Sequence, residues 1–128
     1  MTKYFLDTHT AIWSLTNDVK LSPKARELIA DTSVALCVSI VSVWEIAIKV
    51  SVGRANFLVN VSSFLELIQE NGIEIIGVLP ECLGIIETMP FIHRDPFDRL
   101  LIATAKSENM TIITADKNIQ KYDVNWIW

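Results

Sequence analysis

The sequence has 128 residues, the size of one ordinary domain and enough chain to bury a core. A hydrophobic content of 51% excludes a disordered chain, and a formal charge of −4 excludes a protein that binds nucleic acid by net charge alone. If a cation engages four carboxylates, however, the remainder of the chain is neutral, so a metal-dependent nucleic-acid enzyme stays open. The most apolar stretch, 34–52, is interrupted by Glu45 and Lys49, which fits an amphipathic helix better than a membrane span.

The N-terminus meets Asp7 too early for a secretory signal, so a cytoplasmic protein is expected. Cys37 and Cys82 sit in apolar surroundings without metal-type spacing and read as buried, reduced thiols. No repeat or linker divides the chain, and residues 1–128 read as one domain.

Taken in order, Tyr4-Phe5-Leu6 is a short apolar strand ending at Asp7. Ser22-Pro23 is a helix start, a capping side chain followed by proline at the first helical position, with the helix running to about Asp31. Val34 to Val38 is a continuous apolar run suited to a strand buried on both faces. Ser42-Val43-Trp44-Glu45 has capping-box spacing and opens a helix that Gly53 can close. Ser63-Phe64-Leu65-Glu66 repeats the signal, with Gly72 as its stop. Ile73 to Val78 reads as a strand and Pro80 to about Thr88 as a helix. Asp95-Pro96-Phe97-Asp98 starts another helix, with Phe97, Leu100, Leu101 and Thr104 on one face and Asn109 as a left-handed stop. Thr111 to Thr114 is the next strand, Asp116 follows it, and Val124 to Ile127 reads as a last one. Strands alternating with helices imply an α/β fold, a central parallel sheet flanked by helices.

That topology gives four acids a common address. Asp7 ends the first strand, Glu45 and Asp98 lie in the expected first turns of helices, and Asp116 follows a strand. In a parallel sheet these positions share one edge, where ligands bind. Gathered carboxylates repel one another and raise one another's pKa, which a hard divalent cation such as Mg²⁺ or Mn²⁺ relieves. Such a cation can lower the pKa of a bound water and stabilise charge on a phosphoryl group, so phosphodiester hydrolysis is the chemistry suggested. Ordinary readings stand beside this one. Acids at helix N-termini are favourable by about 0.3–1 kcal/mol each. Glu45 can serve a capping box or pair with Lys49 four residues on, and Asp95 can be a plain N-cap with Asp98 aiding the first turn.

Four blocks carry a family likeness: Leu6-Asp7-Thr8-His9, Val43-Trp44-Glu45-Ile46-Ala47-Ile48-Lys49, the run from His93 to Ala105 that contains Asp95-Pro96-Phe97-Asp98-Arg99, and Ile113-Thr114-Ala115-Asp116. In order and spacing they resemble the PIN-domain family, and within it the stand-alone VapC-type toxins of bacterial toxin–antitoxin pairs. The resemblance spans essentially the whole chain. It implies a single PIN-like ribonuclease domain dependent on Mg²⁺ (or Mn²⁺), acting on RNA as the toxin of a type II pair. It also implies inhibition by a cognate antitoxin protein and, frequently, a homodimer. Carried over block by block, Asp7, Glu45, Asp98 and Asp116 match the family's acidic positions, as metal ligands and catalytic groups. Asp98 rather than Asp95 is the third acid, because it directly precedes Arg99-Leu100-Leu101-Ile102-Ala103. Thr8 and Thr114 stand close enough to orient ligands or waters through their hydroxyls.

Among the basic residues Lys49, Arg54, Arg94 and Arg99, the pair flanking the Asp98 turn, Arg94 and Arg99, is expected to bind substrate phosphates. His9 follows a proposed ligand and reads as a neighbour of the site or an exposed side chain. His93 precedes a helix start and has little claim to catalysis. The alternative function is a catalytically silent module of the same fold that binds RNA or a partner protein, its acids serving folding alone.

Overall fold

The computed structural model describes residues 2–53 and 59–128; Arg54 lies outside them. Five strands form one all-parallel sheet: β1 (Lys3–Leu6), β2 (Ala35–Ser39), β3 (Glu74–Ile76), β4 (Thr111–Ile113) and β5 (Trp126–Ile127), in the order β3-β2-β1-β4-β5. Helices α1 (Thr8–Leu15), α2 (Pro23–Ala30), α3 (Ile40–Ser51), α4 (Val61–Glu70), α5 (Pro80–Thr88), α6 (Pro96–Ser107) and α7 (Lys117–Gln120) complete the described residues.

The apolar strand runs are explained by two cores. Phe5, Cys37 and Ile112 point into one, with Leu101, Ile102 and Tyr122, while their successors Leu6, Val38 and Ile113 point into the other, with Ile46, Phe64 and Ile68. This two-residue alternation, apolar on both faces, is the signature of a strand covered by helices on each side.

The chain winds outward from β1 through β2 to β3, then returns to lay β4 on the other side of β1. The winding reverses between β1 and β4, so a crevice opens at their C-terminal ends. Pairing of Leu6 with both Val38 and Ile113 brings Asp7 level with Ser39 and Thr114.

Two helix starts differ from expectation. α3 begins at Ile40 under an N-cap from Ser39, whose hydroxyl accepts the Val41 amide at 2.9 Å. Ser42 and Glu45 therefore lie inside the helix rather than at its mouth. Ser42 forms no capping box, because the strand hands directly into the helix at Ser39. Likewise Asn60 caps α4, and Ser63 is the reciprocal partner of that capping box instead of its first member. Helices α1 and α7 carry too short an apolar pattern to stand out in the sequence. Each is started by an acid: Asp7 accepts the Thr10 amide at 2.8 Å and Asp116 the Asn118 amide at 2.8 Å. The expected stops hold, with Gly53 (φ 71°), Gly72 (φ 65°) and Asn109 (φ 51°) all in the left-handed region after α3, α4 and α6. No helix among the described residues is long and apolar enough to cross a membrane.

Candidate active site

Asp7, Glu45, Asp98 and Asp116 meet at the edge formed by the C-terminal ends of β1 and β4. Asp7 is buried directly after β1. Its Oδ1 caps α1, and its Oδ2 accepts a hydrogen bond from the hydroxyl of Thr114, itself buried after β4. The same Thr114 oxygen accepts the amide of Asp116 at 3.0 Å, so one threonine ties the two acids together. Thr8, next to Asp7, donates to Glu45 Oε1 at 2.7 Å and also lies 2.9 Å from the Ser42 hydroxyl. Lys49, one turn along α3, reaches Glu45 Oε2 at 2.7 Å. The expected ion pair is present, and it does not exclude Glu45 from the site. Asp116 Oδ1 takes the first amides of α7.

Asp98 lies in the first turn of α6, under the N-cap from Asp95, whose Oδ1 accepts the amides of Phe97 and Asp98. Asp95 is thus the cap that its position suggested. The electrostatics of Asp98 register the whole cluster. Burial, followed by the charges of Asp95, Asp116, Glu45 and Asp7, pushes its carboxyl up to about 8. Asp7 is also raised, by burial, against the lowering effect of its hydrogen bonds from Thr114 and Thr10. Such shifts are typical of sites that do chemistry.

The donor set suits a hard cation. It is built of carboxylates, and Asp98 Oδ1 and Asp116 Oδ2 carry no hydrogen bond among the described residues. Positive charge at this edge would offset the repulsion that raises Asp98. The carboxylates are neighbours without forming a finished cage: no three His, Cys, Asp or Glu side chains among the described residues stand close enough to share one ion. Beside the acids, a cleft of about 250 Å³ is lined by Asp7, His9, Trp13, Ala115 and Asp116. His9 is exposed at this cleft, with its ring centroid 5.8 Å from that of Trp13.

The two arginines part company. Arg94 is exposed. Arg99 is buried, with 5% of its surface accessible, and does not face solvent as a substrate-binding residue would. Its guanidinium donates to Pro90 O at 2.9 Å and to the Tyr122 hydroxyl at 3.1 Å, and it stacks on Phe91 at 4.2 Å. Helical spacing explains the difference: in α6, Arg99 falls on the face that also buries Ile102 and Ala103.

Three further residues touch the acids or their partners: Tyr122, which carries no signal in the sequence, Ser42, which reads there as a helix cap, and His93, which reads there as having little claim to catalysis. His93 Nε2 lies 3.1 Å from Asp98 Oδ2, and its Nδ1 lies 2.8 Å from the Tyr122 hydroxyl. No periodicity could have found Tyr122, which reaches the site from beyond α7. The one available signal was the closeness of His93 to the Asp95–Asp98 helix start.

A model of the PIN domain matches residues 4–125. Ribonuclease VapC22 of Mycobacterium tuberculosis (strain ATCC 25618 / H37Rv) is 28% identical over 123 residues, which are 95% of this chain and 93% of that protein. In fold, the chain resembles the structure of VapBC2 from Rickettsia felis bound to a DNA fragment from its promoter, with a TM-score of 0.72 and 16% identity over 98% of each chain. It also resembles VapBC-1 from nontypeable Haemophilus influenzae, with a TM-score of 0.66 and 18% identity over 98% of this chain and 97% of that one. With the match running from β1 to the approach of β5, the chain belongs to the PIN domain family.

Proposed function

We propose that the protein is a divalent-metal-dependent endoribonuclease that hydrolyses RNA phosphodiester bonds in the cytoplasm as the toxin of a toxin–antitoxin pair. The observation that carries this reading is geometric: Asp7, Glu45, Asp98 and Asp116 come together at one sheet edge, Asp7 tied to Asp116 through Thr114 and Glu45 held by Thr8, with Asp98 raised by burial and by the other acids' charges. The 28% identity to a protein named as a ribonuclease, across 95% of the chain, supports RNA as the substrate. The likeness in fold to VapBC2 and VapBC-1 fits an antitoxin protein as partner.

Asp7, Glu45, Asp98 and Asp116 would hold Mg²⁺ or Mn²⁺. When bound, that ion supplies Lewis acidity toward the phosphoryl oxygens and activates water for attack on phosphorus. The chain's own part is to keep its carboxylates in place. Thr114 and the Thr10 amide fix Asp7, Thr8 and Lys49 fix Glu45, and the α7 amides fix Asp116. Arg94 would meet substrate phosphate from the exposed side of the Asp98 turn, and the cleft beside Asp7 and Asp116 would admit the strand. A homodimer is expected from the family.

The test is incubation of antitoxin-free protein with a mixed pool of structured and single-stranded RNA in Mg²⁺, Mn²⁺ or EDTA. Cleavage should require metal, and Asp7→Asn should reduce it more than about 100-fold, beyond the 10–100-fold typical of an outer partner of a metal ligand. A folded, Mn²⁺-binding protein that cuts no RNA would hand the reading to the silent PIN-fold module.

A further inference from the structure

The role of Asp98 as a ligand leaves unexplained the chain of buried groups behind it. Arg99, Tyr122 and His93 come from α6, from the segment after α7 and from the loop before α6, and they meet in one line of hydrogen bonds that ends on Asp98. Tyr122 is buried, and His93 and Asp98 show side-chain exposures of only 13% and 16%. Few waters can substitute for a missing partner here, so the donors and acceptors can be counted.

The count begins at Arg99, which only donates. One guanidinium N–H goes to the Tyr122 oxygen at 3.1 Å, and the His93 backbone N–H goes to the same oxygen at 3.3 Å. A phenol oxygen has two lone pairs and one proton. With both lone pairs engaged, the Tyr122 proton must go outward. Its short contact is His93 Nδ1 at 2.8 Å; the other acceptor in reach, His93 O, is at 3.4 Å. A proton on Nδ1 would bring a third donor to an oxygen with two lone pairs. Nδ1 is therefore the acceptor, the ring proton sits on Nε2, and Nε2–H donates to Asp98 Oδ2 at 3.1 Å.

We infer that Arg99 and Tyr122 lock His93 in its Nε2–H tautomer so that it acts as a positioning residue, holding Asp98 by Oδ2 and leaving Oδ1 to the metal; this rests on the reading of Asp98 as a ligand. A neutral N–H suits the task. A lysine or arginine in the same place would fix Asp98 equally well but would put a full positive charge against the incoming cation. Arg99 supplies the orientation from three hydrogen bonds behind Asp98, with its own charge spread over Pro90 O and the Phe91 ring. Partners behind a ligand commonly set its orientation in this manner.

The test uses the full chain, ¹⁵N-labelled and metal-free, at mildly alkaline pH, with long-range ¹H–¹⁵N correlation of the imidazole. His93 should show an unprotonated Nδ1 and a protonated Nε2, and Tyr122→Phe should replace that single form by a mixture while the amide spectrum stays native. A protonated Nδ1 in the unmodified protein, or a tautomer indifferent to Tyr122→Phe, overturns the inference. Mn²⁺ titration supplies the second arm. His93→Phe, which fills the space without donating, should weaken binding about 10–100-fold. His93→Gln, whose amide N–H can stand about where Nε2 stands, should keep most of it. Equal affinities for the two variants would mean that the ring only fills space. Should the unmodified protein bind no Mn²⁺ at all, the metal reading fails, and the positioning role is read from the Asp98 carboxyl ¹³C shift. That shift should move in His93→Phe and hold in His93→Gln; movement in neither, or alike in both, overturns the inference.

Discussion

Asp7 and Asp98 stand at the same sheet edge and are held by different means. Asp7 is placed by backbone: β1 and β4 pair with Leu6 opposite Ile113, and that register alone sets Asp7 beside Thr114. Asp98 is placed by side chains, through a line that passes from Arg99 to Tyr122 to His93. A position fixed by strand register moves only if the sheet moves. One fixed by three side chains can be retuned by a single substitution without disturbing the fold. The Asp7 corner is therefore the rigid half of the site and the Asp98 corner the adjustable half.

At the rigid half the expected effect is a direct loss of stability, present whatever the pH. Thr114→Val keeps the shape but leaves Asp7 Oδ2 without its buried donor, which should cost the metal-free protein about 1–3 kcal/mol in chemical denaturation. A loss near zero would mean that Asp7 is held by the α1 amide alone and that the corner is less rigid than its register suggests.

The adjustable half should declare itself through pH. Asp98 is raised to about 8 in the folded protein from an ordinary carboxylate value of 3.8. A raised folded pKa means that the native state binds the proton more tightly than the unfolded chain does. The corresponding stability is fully present below about 3.8 and drains as pH rises toward about 8. Metal-free Asp98→Asn lacks this loss, so its melting temperature should gain on the unmodified protein's as pH climbs from about 5 to 9, and saturating Mn²⁺ should shrink the gap. A gap that stays constant with pH would show that neither burial nor the neighbouring acids raise Asp98.

The smallest effect is expected outside both halves. Arg94→Ala should raise KM for RNA a few-fold with kcat nearly unchanged, the mark of lost uniform binding. A fall in kcat instead would place Arg94 against the reacting phosphate.

Much of the fold and of the site is legible in the amino-acid sequence. The strand alternation, the Ser22-Pro23 and Asp95-Pro96 helix starts and the left-handed stops at Gly53, Gly72 and Asn109 are local: each depends on a few neighbouring residues and on backbone sterics. So are the acids' positions at strand and helix ends, from which their meeting at one edge follows once the sheet is parallel. The starts of α3 and α4 are not legible in this way. Serine is an equally good cap at Ser39 and Ser42, and asparagine at Asn60 competes with Ser63; only the path of the chain out of β2 and into α4 chooses between them.

Local chemistry thus determines the elements, the parallel sheet and the four acids, since those are set by period, capping and connection order. Which side chains serve the acids is decided by packing. Burial turned Arg99 from an expected phosphate ligand into the anchor of an internal hydrogen-bond line, and packing of the chain after α7 against the loop before α6 delivered Tyr122 to His93. These contacts join residues up to 29 positions apart across different elements. Their geometry is fixed by how the helices pack on the sheet, which no local pattern in the chain encodes.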